Sequence, residues 1–283
     1  MGEGRSGSTI LSIILGNHPA IQTVGELNKW IEFKGKPKPG TAKQQDYAFW
    51  QNIFDCYPWN ATCHTFDELN EISSRLESYI NFPKILCGLI PDWMIEVYHN
   101  HNIKLFQAID DSVKNKIIVD SSKNMSRAWL LYNNPYLNTK IIYLTRGPRA
   151  TMLSYQKKDI EQQPKSQVIS MLHYCIKNIL CMMVSRSVTN NTILHIRYED
   201  LMSDLPGMLQ KIGDFVGIDL KYLSGMYEFN VPPLLDGNRI RMKDKIKLYF
   251  DTSWRRDLST YQKTIAPLLT FPCSIRNGYF FDE

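Results

Sequence analysis

The sequence predicts an α/β protein: a parallel, doubly wound sheet flanked by helices and opened by a glycine-rich loop. Three observations predict it. The run Met1-Gly2-Glu3-Gly4-Arg5-Ser6-Gly7-Ser8-Thr9 passes straight into the apolar Ile10-Leu11-Ser12-Ile13-Ile14-Leu15, a glycine turn opening a helix. Three continuous apolar runs follow further along, each succeeded by a helical stretch, the pattern of buried parallel strands. Polar residues able to handle anions close each run, where ligands of such sheets bind.

The first element is the loop. Such a turn aims several backbone N–H groups at one spot, and the helix dipole adds positive potential there, so the spot suits an anion. Gly2 and Gly7 have GxxxxG spacing and Thr9 stands at the Ser/Thr position of a P-loop, but Ser8 replaces the lysine that reaches the β/γ-phosphates. This P-loop-like turn is therefore expected to cradle phosphate without nucleoside-triphosphate chemistry. Read alone, the same glycines and serines also serve as a helix cap.

Residues 19–24 form the next expected strand, closing on Gly25-Glu26. From Trp30 to about Lys114 the pattern turns helical and aromatic, with Pro37, Pro39 and Gly40 as a loop. This insertion, residues 30–115, is expected to form a substrate lid and acceptor pocket. The three apolar runs are Lys116-Ile117-Ile118-Val119-Asp120, Lys140-Ile141-Ile142-Tyr143-Leu144-Thr145-Arg146 and Thr192-Ile193-Leu194-His195-Ile196-Arg197-Tyr198. Helices are expected after them over 125–132, 149–157 and 201–216.

Composition narrows the class. Of 283 residues 43% are hydrophobic and 22% charged, enough for one large domain spanning 1–283. A net charge of +5, from 33 basic and 28 acidic residues, is too mild to argue for nucleic acid and fits a local basic pocket. The six cysteines show no CxxC spacing, and Cys56, Cys63 and His64 read as unpaired groups, so no metal is expected. The apolar stretch 10–15 is too short for a secretory leader, and no window of about 18 apolar residues is expected to span a membrane. The chain reads as cytoplasmic, without a membrane partner. Its oligomeric state is not legible.

Two basic features carry further chemistry. Arg146 closes an apolar run, and Ser154, eight residues on, falls in the second turn of a helix opened by Arg149. A guanidinium fork and a hydroxyl can then converge on one phosphate. The run Gly237-Asn238-Arg239-Ile240-Arg241 is a turn carrying two arginines able to close over a charged ligand, or a solvated face.

Taken together, these motifs resemble a known family. Gly4-Arg5-Ser6-Gly7-Ser8-Thr9, then Leu15-Gly16-Asn17-His18-Pro19 and Gly25-Glu26, are similar to the 5′-phosphosulfate loop of sulfotransferases that use 3′-phosphoadenosine-5′-phosphosulfate (PAPS). The run Ile141 to Ala150 with Ser154 resembles the family's 3′-phosphate motif. Arg197-Tyr198-Glu199-Asp200-Leu201, Asp214-Phe215-Val216-Gly217, Gly237 to Arg241 and Trp254-Arg255 recur in family order. The resemblance omits only about residues 30–115.

The resemblance implies in-line attack of an acceptor oxygen or nitrogen on a sulfuryl group, with adenosine 3′,5′-bisphosphate (PAP) leaving. Gly4, Arg5, Ser6, Gly7, Ser8 and Thr9 would hold the phosphosulfate. Arg146 and Ser154 would hold the 3′-phosphate, with Arg239 or Arg241 closing over that end. Glu26 in its Gly-Glu pair would be the general base, and Lys123, beside Ser122, would reach the sulfuryl group. A kinase of the same architecture is the rival enzyme reading, against which the missing loop lysine argues. A binding module without turnover is the other, for which a carboxylate beside the loop is superfluous. Aromatics (Trp30, Phe33, Tyr47, Phe49, Trp50, Trp59, Trp93, Tyr98) and acids in the insertion imply a cationic small-molecule acceptor, of the saxitoxin kind. The same aromatics also read as lid core.

Overall fold

The structure is a computed structural model that describes residues 1–61, 64–157 and 166–280. Along the chain run α1 (Ser8–Leu15), β1 (Ile21–Gly25), α2 (Gln44–Cys56), α3 (Phe66–Glu77), α4 (Phe82–Leu86), α5 (Asp92–Val113), β2 (Ile117–Asp120), α6 (Met125–Tyr132) and β3 (Ile141–Thr145). Then come α7 (Pro148–Gln156), α8 (Gln167–Ser187), β4 (Ile193–Arg197), α9 (Tyr198–Ser203), α10 (Leu205–Val216), β5 (Phe229–Asn230), β6 (Lys245–Ile246), α11 (Trp254–Asp257), α12 (Thr260–Leu269) and α13 (Phe271–Arg276). All the expected strands form, within two residues of their expected bounds.

The chain divides into two compact units. The first gathers Met1–Ser8, Ile141–Asp219 and Leu248–Glu283; the second gathers Thr9–Lys140 and Leu220–Lys247.

In the first unit β3 and β4 pair in parallel without a break, from Ile141↔Ile193 to Thr145↔Arg197. The other edge of β3 takes a parallel bridge from Gly2 to Leu144, and the Leu144 amide donates to the Met1 carbonyl at 3.0 Å. The loop thus starts from the sheet edge itself. Met152, Met171, Tyr174, Ala266 and Cys273 form a core cluster between α7, α8, α12 and α13. The expectation that no window is apolar enough to span a membrane is corrected here. By length and composition α8 is, with only Lys177 and Arg186 charged in its 21 residues. Its face carrying Met171, Tyr174, Asn178, Cys181 and Val184 is buried in this unit, while Val168, Ile169, Leu172 and Ile179 on the helix are exposed.

In the second unit β1 and β2 pair in parallel, Ile21↔Ile117 through Thr23↔Val119, then Gly25↔Asp120. Val24 is the extra residue of a bulge. The expected single doubly wound sheet is corrected: hydrogen bonds define the parallel pairs β1–β2 and β3–β4 and a short antiparallel β5–β6. Each pair bonds over only two to five residues, and the two parallel pairs fall in different units.

The stretch 30–115 is helical as expected, and several of its aromatics form a core, while Trp93 is 57% exposed. Trp30, Trp50, Tyr57 and Tyr98 are at most 2% exposed. Trp59 stacks on Trp30 with ring centres 5.6 Å apart at 7°, and Phe54, Phe66 and His101 close around them. These faces are filled by one another, so a cation cannot reach the fully buried ones. Asp46 is buried as well, its carboxylate accepting from the Lys43 amide at the start of α2. Cys63 lies outside the described residues.

His101 gives this core a pH dependence. Its Nδ1 lies 2.9 Å from the Tyr57 hydroxyl. Burial, then the charges of Arg127 and Lys104, push its pKa down to about 3. In the unfolded chain it titrates near 6.5, roughly. Between those values the unfolded state binds the extra proton, so stability rises with pH through that window and is complete above it. The urea midpoint is expected to fall between pH 7 and pH 5, and His101→Gln to flatten that slope. An unchanged slope in the variant assigns it elsewhere.

Candidate active site

The loop is built within the first unit. A Cβ on Gly2 would lie 2.4 Å from the Leu144 carbonyl oxygen, and one on Gly4 2.6 Å from the Tyr155 hydroxyl. Glycine at these positions lets the backbone approach β3 and α7 this closely. Arg5 takes a left-handed φ of 70° and Gly7 one of 96°, which together curl the loop toward Ser8, the first residue of α1. Gly7 packs on the Tyr198 ring, which a Cβ would meet at 2.5 Å. Gly7→Ala is therefore expected to cost about 1–3 kcal/mol, from backbone strain and overpacking. Urea unfolding checks it, and an unchanged midpoint would mean the loop relaxes freely.

Glu3 anchors the loop from below. It is buried, accepts from the Tyr155 hydroxyl and lies 3.6 Å from Lys177 Nζ. Burial first, then the Glu3 charge, raises the pKa of Tyr155, so it stays a donor. The Ser6 hydroxyl is buried with no hydrogen-bond partner among the described residues. An orphaned hydroxyl in a glycine-rich turn directly before a helix fits an anion.

Arg146 follows β3. Its Nη1 donates to the Arg5 carbonyl at 3.2 Å and its Nη2 to Asp251 at 3.2 Å. The guanidinium lies over the Tyr198 ring, 4.6 Å from its centre, while Nε is buried with no hydrogen-bond partner among the described residues. Burial works against the Asp251 charge, but the Ser253 hydrogen bonds and the Arg146 cation outweigh it and hold its pKa below the usual range. Glu199 accepts from the Gly147 amide at 3.0 Å and from the Tyr279 hydroxyl at 2.8 Å, fixing the turn that starts α7. Ser154 lies half-buried on α7.

The second unit holds the other candidates. Gly25 ends β1 with a φ of 77°, and a Cβ there would lie 2.6 Å from the Asp236 carbonyl oxygen. The Glu26 amide donates to that oxygen at 3.2 Å, and the Ser121 amide to the Gly25 carbonyl at 2.8 Å. Lys123 Nζ pairs with Glu26 Oε1, and each side chain is 19% exposed. Thus the structure brings Glu26 and Lys123 together, 97 residues apart in sequence.

The arginine turn falls between two roles. Arg241 is buried, its Nη2 3.1 Å from Asp236 and its Nη1 donating to the Gly237 carbonyl. Arg239 is exposed. Thr9 accepts the Asn238 amide at 3.2 Å, so its hydroxyl ties this turn to α1.

Sequence reading missed Glu3, Tyr155, Asp251 and the buried group around Arg127. Arg127 donates to Asp120 at 2.7 Å, to Glu77 at 3.2 Å and to the Tyr98 hydroxyl at 3.0 Å. Burial raises the pKa of Glu77 against the pull of Arg127 and the Tyr98 hydrogen bond. A lone arginine in the apolar stretch Met125-Ser126-Arg127-Ala128-Trp129-Leu130-Leu131 was the available signal. No group of three or more His, Cys, Asp and Glu side chains among the described residues gathers as a metal site.

The sulfotransferase family model matches residues 1–222, and the chain belongs to that family, whose chemistry is sulfuryl transfer. In fold it is similar to the sulfotransferase domain from the Synechococcus PCC 7002 olefin synthase, with 19% identity, a TM-score of 0.54, and 98% and 92% of the two chains covered. It is similar also to the sulfotransferase domain from the curacin biosynthetic pathway, with 14% identity, a TM-score of 0.51, and 98% and 96% covered. Among curated proteins none matches.

Proposed function

We propose that this enzyme moves a sulfuryl group from PAPS to a hydroxyl, or to an amine or guanidine nitrogen, of a small-molecule acceptor. PAPS supplies an electrophilic sulfuryl group on a bisphosphate leaving group. Arg5 and the amides of Ser6, Gly7, Ser8 and Thr9 bind its 5′ end and stabilise charge on the bridging oxygen as the sulfur–oxygen bond breaks. Arg146 and Ser154 bind the 3′-phosphate. Glu26 takes the acceptor proton, and Lys123 steadies the sulfuryl oxygens. As in phosphoryl transfer, rate comes mostly from positioning and charge stabilisation.

The observation that carries this reading is the loop itself: an unpartnered buried Ser6 hydroxyl beside left-handed Arg5 and Gly7, with serine at position 8. A kinase needs a lysine there. The fully buried Trp30, Trp50 and Tyr98 give no support to a saxitoxin-type acceptor, so the acceptor proposed is the broader class.

Calorimetric titration with PAP, 5′-AMP and ATP in parallel tests the reading. Tight binding of PAP alone is expected. Preference for ATP, or no binding of PAP, would sink it.

A further inference from the structure

Two independent hydrogen-bonded tethers meet at the turn after β2. Asp120 Oδ1 accepts from the Ser122 amide at 2.9 Å and also from the Ser122 hydroxyl. The Ser122 hydroxyl in turn accepts from the Asn28 amide at 3.1 Å. Asn28 lies in the single 3₁₀ turn Leu27–Lys29 that Glu26 opens. On the far side of Lys123, the Asn124 side chain accepts from the Arg127 amide at 3.0 Å and donates to the Glu77 carbonyl at 2.7 Å.

Lys123 is therefore held between two clamped neighbours, in a left-handed conformation with φ of 55°. A lysine adopts that backbone only where its surroundings impose it. Arg127 joins both tethers. Its side chain, 4% exposed, holds Asp120 Oδ2 through Nε and Glu77 through Nη1, and the Glu77 carbonyl accepts from the Asn124 side chain. A buried arginine with two carboxylates is a costly group for stability alone, since apolar side chains of similar volume often serve as well.

We propose that Arg127 is a positioning residue for the Glu26–Lys123 pair, acting through Asp120 and Ser122 on one side and Asn124 on the other. Through Asp120 and Ser122 it sets the turn that Glu26 begins. Through Asn124 it fixes the strained backbone from which Lys123 reaches Glu26. The proposal deepens the reading of Glu26 as the base and concerns the pair's geometry, which exists without any bound cofactor.

Trace acetylation of the whole protein with acetic anhydride, read by peptide mass spectrometry, tests it. In the wild type Lys123 is expected to label several-fold more slowly than the exposed Lys114. Glu26→Gln, which removes the partner, is expected to bring Lys123 toward the Lys114 rate. Ser122→Ala and Arg127→Lys are expected to do the same while Lys114 stays constant, and Ser122→Thr, which keeps the hydroxyl, to restore protection. Ser122→Ala leaves no buried charge unpaired, so it keeps the test valid where an Arg127 variant fails to fold. Protection unchanged in Ser122→Ala, with Glu26→Gln labelled fast, would overturn the proposal. So would slow labelling in Glu26→Gln. The labelling involves no sulfuryl transfer, so failure of the PAP titration would leave this result standing, and the reverse also holds.

Discussion

Glu26→Gln is expected to lower sulfuryl transfer from PAPS by about 10²–10⁴-fold, the range a positioned general base contributes. Glutamine keeps the shape of the side chain and loses the ability to accept the acceptor proton. In the proposed mechanism Glu26 acts on the acceptor proton and not on the bisphosphate. PAP affinity is therefore expected to stay within about twofold, less than the ~1.4 kcal/mol that separates tenfold steps. Initial rates of PAP formation and calorimetry with PAP measure the two quantities separately. A rate equal to wild type would remove Glu26 as the base. A matching loss of PAP affinity would make it a binding residue instead.

Arg146→Ala is expected to weaken PAP binding by about 1.5–3 kcal/mol, the value of a lost charge-assisted contact. That corresponds to about 10–150-fold in dissociation constant. The same side chain also braces the loop, since its guanidinium links the Arg5 carbonyl to Asp251 and covers Tyr198. Alanine therefore removes both a ligand contact and a support of the loop. Asp251→Asn separates the two effects. It removes the negative partner of Arg146 while leaving the guanidinium in place, so it is expected to lower loop stability with a smaller loss of PAP affinity. Equal PAP affinity in Arg146→Ala and wild type would put the 3′-phosphate elsewhere.

The strands were legible because each is a compact apolar run closed by charged or polar residues: Ile117–Asp120, Ile141–Thr145 and Ile193–Arg197. The loop was legible because glycines so spaced, directly before an apolar helix, bring backbone amides together at its N-terminus. The place of Glu26 just after a strand was legible because Gly25 ends that strand. Partner choice was not legible. Arg146 reads as a free phosphate fork in sequence, whereas in the fold two of its nitrogens hold Arg5 and Asp251, the latter 105 residues away. Arg241 likewise reads as one of a pair with Arg239, but the turn sends one side chain into the interior against Asp236 and leaves the other in solvent. Alternation along a run does not say which side faces a core when the run is a 3₁₀ turn. The aromatic insertion misled for a related reason. Composition gives the amount of ring surface, and only packing decides whether rings meet a ligand or one another.

The bulge at Val24 makes the heading of Glu26 a matter of residue count. Side chains along a strand change sides at every step, so one surplus residue reverses the parity of everything downstream. Gly25 stands opposite Asp120 only because Val24 has no partner on β2. Deleting Val24 is expected to restore an unbroken ladder and to change the heading of Glu26 relative to Lys123. A chimera that swaps this strand for a regular one from another chain inherits that change, even when every residue type around Glu26 is kept. The spacing itself thus matters to the proposed base as much as its carboxylate does.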